Sequence, residues 1–280
     1  MEIFKQIAPL KAFLTQLRFQ GKSLGLVPTM GALHAGHISL LKACQAQNQV
    51  TISSIFVNPI QFNNKNDLLK YPRTLEKDIE MLTQAGCDVL FCPETDEMYP
   101  HDSILTMDFG DLDKTMEGSF RPGHFSGVAL VVSKLFNIVE PDHAYFGQKD
   151  WQQFAIIQKL VCELNFKVEL HSIPTLREAD GLALSSRNLR LDPEQRKQAK
   201  IFYTVLLGAK ADLKAGQDLA DVKKSVSSEV ESAGVRLEYF ELVDSKNLNS
   251  LEYVEHSRQP IMCIAGYVGD VRLIDNMFLQ

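Results

Sequence analysis

Two histidines three residues apart, His34 and His37, stand where a strand-like run (Leu24, Leu26, Val27) gives way through Pro28 and Thr29 to a helical spacing (Ile38, Leu41, Cys44). Gly31, just before them, lets the backbone turn where a side chain would obstruct a ligand. A helix starting near Ala35 leaves its first backbone N–H groups pointing into the turn, which favours an anion such as phosphate. His37 falls in the first helical turn and His34 just before it, so both imidazoles reach the same anion. Taken alone, the pair also suits two polar side chains at a helix start. A metal pair is a further reading, but H-x-x-H lacks the zincin glutamate, and no nearby Cys or carboxylate completes it. The turn lacks the G-K-[ST] ending of a P-loop and no G-x-G-x-x-G occurs, so the histidines would stand in for the Walker lysine.

Three other places carry polar groups at useful positions. Val50 to Val57 reads as a buried strand, which puts Asn58 and Gln61 just beyond its C-terminal end, the edge at which open α/β sheets bind ligands. Local sequence alone favours plain turn chemistry there, with Gln61 a solvated loop residue. His143 to Phe146 reads as another strand, and Gly147-Gln148-Lys149-Asp150 turns into the helix WQQFAIIQKLVCEL, so the strand–turn–helix pattern repeats with Lys149 and Asp150 at the turn and Gln153 on the first helical turn. READGLALSSRN (177–188) has the character of a mobile phosphate-gripping loop, with Gly181 as hinge, hydroxyls from Ser185 and Ser186, and the forked cation of Arg187. An ordinary polar connector would explain the glycine and serines equally well. GHFSG is a decoy for a hydrolase elbow, because Ser126 falls one place too late.

The elements that must position these groups read as an amphipathic first helix, a helix from Tyr71 to Gly86 with Thr74 as N-cap, and a strand at Asp88 to Cys92. A polar segment from Pro93 to Gly127 has the length of a functional loop and carries Arg121. Val128, Val131, Val132, Leu135, Phe136 and Val139 form a helical core stripe. Lys167 to Ile173 reads as a further strand. From Asp192, a plausible N-cap followed by Pro193, composition shifts to two charged helices and three strand-like runs. The chain is expected to be α/β, with a small α+β unit at its C-terminal end.

Its 280 residues, 45% of them hydrophobic, suffice for one large domain or two modest ones. A formal charge of −6 predicts no general attraction to nucleic acid or anionic membrane, so phosphate binding must come from local basic groups. The first twenty residues contain no uninterrupted apolar run and read as neither signal peptide nor membrane span. Five scattered cysteines without a C-x-x-C pair predict reduced thiols in a cytoplasmic protein, with Cys44, Cys162 and Cys263 buried.

PTMGALHAGHISLL resembles the H-x-G-H segment of the nucleotidylyltransferase and class I synthetase superfamily, in the form carried by the pantothenate synthetase (pantoate–β-alanine ligase) family. FVNPIQF (56–62), YPRT (71–74), RPGHFSGVALVVSKLF (121–136), FGQKDWQQ (146–153) and READGLALSSRN (177–188) resemble the same family, in order, and are spread over most of the first 190 residues. The resemblance implies a Rossmann-like parallel-sheet catalytic domain (1–176), binding ATP and pantoate, and a smaller α+β lid domain (177–280). It implies ATP-dependent condensation of pantoate with β-alanine through pantoyl-adenylate, giving pantothenate, AMP and pyrophosphate. His34, His37, Lys149 and Arg187 are the implied catalytic groups. ATP contacts are implied at Met30, Gly31, Ala32, Leu33, His34, Ala35, Gly36 and His37, at Gly147, Gln148, Lys149 and Asp150, and at Leu176, Leu184, Ser185, Ser186 and Arg187. Gln61 and Gln153 are implied to hold pantoate, with Asn58, Tyr71 and Arg121 beside them. Mg²⁺ is expected with ATP, held chiefly by phosphates, with Asp78 as a candidate carboxylate. A homodimer is implied by the resemblance alone. Leu184, Gln148 and Leu130 depart from the family's usual methionine, glutamate and threonine, which bears on binding strength more than on reaction type.

Overall fold

The computed structural model describes residues 1–279 and divides into two compact units, Met1–Gln148 with Ile156–Pro174, and Lys149–Ala155 with Thr175–Gln280. The first unit is built on a six-stranded sheet in the order β1-β4-β3-β2-β5-β6, comprising β1 (Glu2–Phe4), β2 (Leu24–Thr29), β3 (Val50–Ile55), β4 (Val89–Phe91), β5 (His143–Gly147) and β6 (Glu169–Ile173). Every neighbouring pair is parallel. Parallel strands need crossover connections, here α1 (Ile7–Phe19), α2 (Ala35–Gln47), α3 (Lys65–Lys70), α4 (Leu75–Gln84), α5 (Thr95–Met98), α6 (Glu117–Phe120), α7 (His124–Val139) and α8 (Trp151–Glu163). Covered on both faces, β3 buries even Thr51, Ser53 and Ser54, which is why it reads as a continuous run without alternation. The chain order reverses between β2 and β5; the histidine turn follows β2, and Gly147 is the last residue of β5. Such a switch point opens a crevice at the strands' C-terminal ends.

Several expectations need adjustment. The N-terminal segment, expected to be helical throughout, begins with β1, which pairs with β4 before α1 starts at Ile7. Cys162, expected to be buried, is exposed, whereas Cys44 and Cys263 are buried. Burial pushes the Cys44 thiol up to about 12 and that of Cys87 up to about 11, so neither serves as a nucleophile at neutral pH. α7 begins at His124, four residues before the apolar stripe, so GHFSG is its first turn. Ser126 Oγ accepts a hydrogen bond from the Met107 N–H at 2.9 Å, a loop-tethering contact. Gly127 lies where a Cβ would come within 2.7 Å of Gln61 Cα and 2.8 Å of Gln61 N. Glycine is therefore required for α7 to approach the short helical turn Pro59–Gln61.

The second unit combines the start of α8 with α9 (Pro193–Gln198), α10 (Ile201–Lys214), α11 (Leu219–Ser232) and an antiparallel sheet of β7 (Arg236–Asp244), β8 (Pro260–Val268) and β9 (Val271–Phe278). Phe202, Val205 and Leu206 of α10 and Val226 and Val230 of α11 form one core with Met262, Ile264 and Val268 of the sheet. α9 is entered through a capping box in which Asp192 accepts from the Gln195 N–H and the Gln195 side chain accepts from the Asp192 N–H. Residues 149–155 belong here because Trp151 donates its indole N–H to Ser245 O at 2.9 Å and packs edge-on against Phe278. The chain therefore passes between units at 148/149, 155/156 and 174/175, where a single passage at 176/177 is expected from the sequence.

The 177–188 loop, read as mobile about Gly181, is braced. Arg196 pairs with Glu178 at 2.8 Å and Asp180 at 2.9 Å, Lys200 reaches Asp180 at 3.4 Å, and Arg177 makes a two-pronged pair with Asp275 at 2.6 and 2.9 Å. Gly181 has φ +92°, and a Cβ there would strike the Tyr203 ring at 2.0 Å, so it serves a left-handed turn.

Gly127→Ala should lower stability by about 1–3 kcal/mol, read as a fall in thermal midpoint, because the methyl meets backbone that yields only by moving the Gln61 turn. The Arg196 hydrogen bond lowers the Asp180 carboxyl from its ordinary 3.8 to about 2. Its contribution is present above the unfolded carboxyl range and is lost as pH falls through about 2. The difference in urea midpoint between wild type and Asp180→Asn should therefore shrink on going from pH 5 towards pH 2; a constant difference would remove Asp180 from the brace.

Candidate active site

The histidine turn is held by hydrogen bonds from both sides. Thr29 Oγ1 donates to Ser54 O at 2.7 Å and accepts the Gly31 N–H at 3.2 Å. Gly31 has φ +80°, and a Cβ there would lie 3.0 Å from Asp78 Oδ2 and 3.1 Å from Ile55 Cγ2. Ala32 follows with φ +51°, its N–H donating to Asp78 Oδ2 at 2.9 Å, and the Leu33 N–H donates to Asp78 Oδ1 at 2.8 Å.

His34 is the N-cap of α2 and His37 is its third residue. His34 Nδ1 accepts the Gly36 N–H at 3.1 Å, while His37 Nδ1 accepts the His34 N–H at 3.2 Å. This is a capping box in which two imidazoles replace the usual hydroxyl and carboxylate. Their ring centroids are 4.1 Å apart. A ring that accepts at Nδ1 carries its proton on Nε2, so the cap fixes one tautomer in each histidine and makes Nε2–H a donor. Both rings are half-buried, at the positive end of a thirteen-residue helix.

A second polar network follows β3. Asn58, 1% exposed, donates from Nδ2 to Gln61 Oε1 at 3.1 Å and to Gly127 O at 3.0 Å, and accepts the Tyr99 hydroxyl at 2.9 Å. Gln61 donates to Met30 Sδ at 3.1 Å, which joins this network to the histidine turn. His124 Nδ1–H donates to Gln61 O at 2.8 Å, leaving His124 Nε2 as the acceptor for Arg121 Nη1 at 3.1 Å. Arg121 also pairs with Glu117 at 4.0 Å. Tyr71, buried, stands edge-on to Phe62 with ring centroids 5.8 Å apart. Burial pushes the Tyr99 phenol up to about 12, so it remains a donor.

In the second unit, Lys149, Ser185 and Arg187 line one cavity together with Asn188, Arg272 and Asp275. Ser185 caps the helical turn Ser186–Arg190 by accepting the Arg187 N–H at 3.2 Å, and Asn188 donates to Ala183 O at 3.0 Å. Leu184 N–H donates to Leu176 O at 3.0 Å, so these two residues close the loop's base. The main chain at Lys149 is fixed by Asn276, which donates to Lys149 O at 2.7 Å. Burial pushes the Asp275 carboxyl up, opposed by the Arg177 fork and by the nearby charge of Lys149. Gln153 is half-buried on the first turn of α8, and Gln148 and Asp150 occupy the short helical turn before it.

Within the first unit, His34, His37, Met30, Asn58, Gln61 and Arg121 thus belong to linked networks, while Tyr71 packs against Phe62. Within the second, Lys149, Ser185 and Arg187 meet at one cavity. Asp78, the candidate metal carboxylate, is 2% exposed, and both its oxygens accept backbone N–H groups and the Thr74 hydroxyl. Thr74 starts α4 as expected, but its hydroxyl serves Asp78 in place of the helix N-terminus. Sequence reading missed Tyr99 and His124, which hold Asn58 and Gln61, and Asp275, which holds Arg177. His124 lies inside the GHFSG string; its place ahead of an apolar helix was the available signal.

The chain matches the family model described as Pantoate-beta-alanine ligase over residues 2–278. A pantothenate synthetase from Bacteroides thetaiotaomicron is 49% identical over 278 residues, covering 99% of this chain and 98% of that protein. The crystal structure of pantothenate synthetase from Thermus thermophilus superposes with a TM-score of 0.93 at 39% identity, covering 100% of this chain and 99% of that one. The pantoate–β-alanine ligase of Francisella tularensis, solved in complex with beta-gamma ATP and β-alanine, gives a TM-score of 0.85 at 36% identity over 100% of this chain and 98% of that one. With sequence and fold matched along nearly the whole length, the chain belongs to the pantoate–β-alanine ligase family.

Proposed function

We propose that this chain condenses pantoate with β-alanine, using ATP, to form pantothenate. A carboxylate is a poor acylating agent, so one of its oxygens must first become part of a leaving group. Pantoate's carboxylate attacks the α-phosphorus of ATP, pyrophosphate departs, and the β-alanine amine then displaces AMP from pantoyl-adenylate. Family membership supports the reaction. The histidine cap is the observation that supports the assignment of residues: with both Nδ1 atoms accepting backbone N–H groups, His34 and His37 carry Nε2–H donors at a helix N-terminus. Neutral donors held by the fold stabilise charge developing on phosphate oxygens without reorganising.

In this reading the turn from Met30 to His37 receives ATP, and Lys149, Ser185, Ser186 and Arg187 supply further donors to its phosphates. Gly147, Gln148, Asp150, Leu176 and Leu184 complete the nucleotide contacts. Gln61 and Gln153 hold pantoate, with Asn58, Tyr71 and Arg121 beside them. An amide both donates and accepts without adding charge next to a carboxylate, and the Asn58 and Met30 contacts hold Gln61 in one orientation. Mg²⁺ travels with the triphosphate, and Asp78 takes no part in holding it. A cytoplasmic homodimer is part of the same reading.

With ¹⁸O in the pantoate carboxylate, AMP should form only when pantoate, β-alanine and ATP are all present, and it should carry label. Label found only in pantothenate would exclude the adenylate route, and no AMP under any condition would leave a nucleotide-binding module. His37→Ala should lower kcat by about 10²–10³, the usual cost of losing one donor to a charged transition state. Its folding stability should fall by only about 1 kcal/mol from the lost cap. A kcat within about threefold of wild type, less than ~0.7 kcal/mol, would remove His37 from the chemistry.

A further inference from the structure

At β5 and β6 three side chains with no part in the reaction converge on one point. The parallel register pairs His143 with Glu169 and Tyr145 with His171, so all four lie on one face of the sheet. His143 Nδ1 and His171 Nε2 are 3.0 Å apart. A Glu169 oxygen lies 3.9 Å from His143 Nδ1 and the other lies 3.6 Å from His171 Nε2. One ligand atom from each of the three residues fits within a span of 4.8 Å. On a zinc ion with bonds of about 2.0–2.1 Å, tetrahedral ligand atoms stand about 3.3 Å apart. The two nitrogens already stand close to that separation, and the Glu169 side chain, 69% exposed, is free to swing one oxygen towards both of them.

The rings are held in place. His171 stacks on Tyr145 with centroids 4.7 Å apart and planes 14° from parallel. The Tyr145 hydroxyl is fixed in turn by Gln47 at 2.7 Å and Asn48 at 2.8 Å. Two imidazole nitrogens that face each other at this distance hold either a proton, as an N–H···N hydrogen bond, or a cation that both can ligate together with the carboxylate. We propose that His143, His171 and Glu169 bind a divalent transition-metal ion, zinc foremost, with water completing the coordination. Two nitrogens and one carboxylate select zinc and its neighbours over Mg²⁺ or Ca²⁺. The bound ion clips the edge strand β6 to β5, and its open side makes it exchangeable.

The test uses full-length protein without a histidine tag, treated with EDTA, dialysed and titrated calorimetrically with ZnCl₂. Wild type should bind one Zn²⁺ per chain with micromolar affinity and show a rise of several degrees in thermal midpoint, with no response to Mg²⁺. His171→Ala should weaken the affinity at least about tenfold. The exposed Glu169→Gln, whose fold is checked by far-ultraviolet circular dichroism, should weaken it as well. His34→Ala separates this site from the only other close histidine pair among the described residues. No binding at ~100 μM Zn²⁺, equal affinity in wild type and His171→Ala, or loss only in His34→Ala would overturn the proposal in favour of a plain imidazole–imidazole hydrogen bond.

Discussion

The carboxylate of Asp78 receives the backbone N–H groups of Ala32 and Leu33, and the shape of the histidine turn depends on it. Asp78 is buried, so removing it would leave two main-chain donors without water or partner, at about 1–3 kcal/mol each. It also dictates its neighbours. Gly31 must be glycine because a side chain would press on the carboxylate and φ is +80°, and Ala32 is kept in the left-handed region by the bond its own N–H makes. Through Asp78, α4 determines where β2 ends and how α2 begins.

From that turn, the histidines perform two tasks with different atoms of the same ring. Nδ1 caps the helix, and doing so places the proton on Nε2. Fold and proposed chemistry are therefore coupled, and a substitution at either position perturbs both. The same economy holds at Gln61, whose side chain and carbonyl are gripped by Asn58, Met30 and His124. Gly127 permits the close approach on which those contacts rely.

In the second unit, positioning relies on ion pairs with backbone reinforcement. The Arg177 fork on Asp275 ties the 177–188 loop to β9, while Arg196 and Lys200 tie its acidic residues to the helices that follow. Asn276, next to Asp275, holds the main chain at Lys149. Adjacent residues of one strand thus steady both the lysine and the serine–arginine loop. The loop's glycine and serines suggest mobility in sequence, but its charged residues are the ones that hold it.

Local pattern was enough to read the helices and strands that carry a long apolar period: β2 into α2, β3, α7, α10 and the three C-terminal strands. Burial and backbone periodicity act through neighbours in sequence, so they leave a record there. β1 was illegible because three residues acquire strand geometry only by pairing with β4, and the exposure of Cys162 depends on which face of α8 turns outward. The string of motifs identified the family and pointed to His34, His37, Gln61, Lys149 and Arg187. It could not reveal that Asp78 spends its charge on backbone N–H groups 45 and 46 residues away, or that Tyr99 and His124 orient Asn58 and Gln61. The sequence by itself determined which residues are available at each strand end, because that follows from period and composition. Only the tertiary structure decided which of them hold the others, because a hydrogen bond between distant residues has no spacing to read.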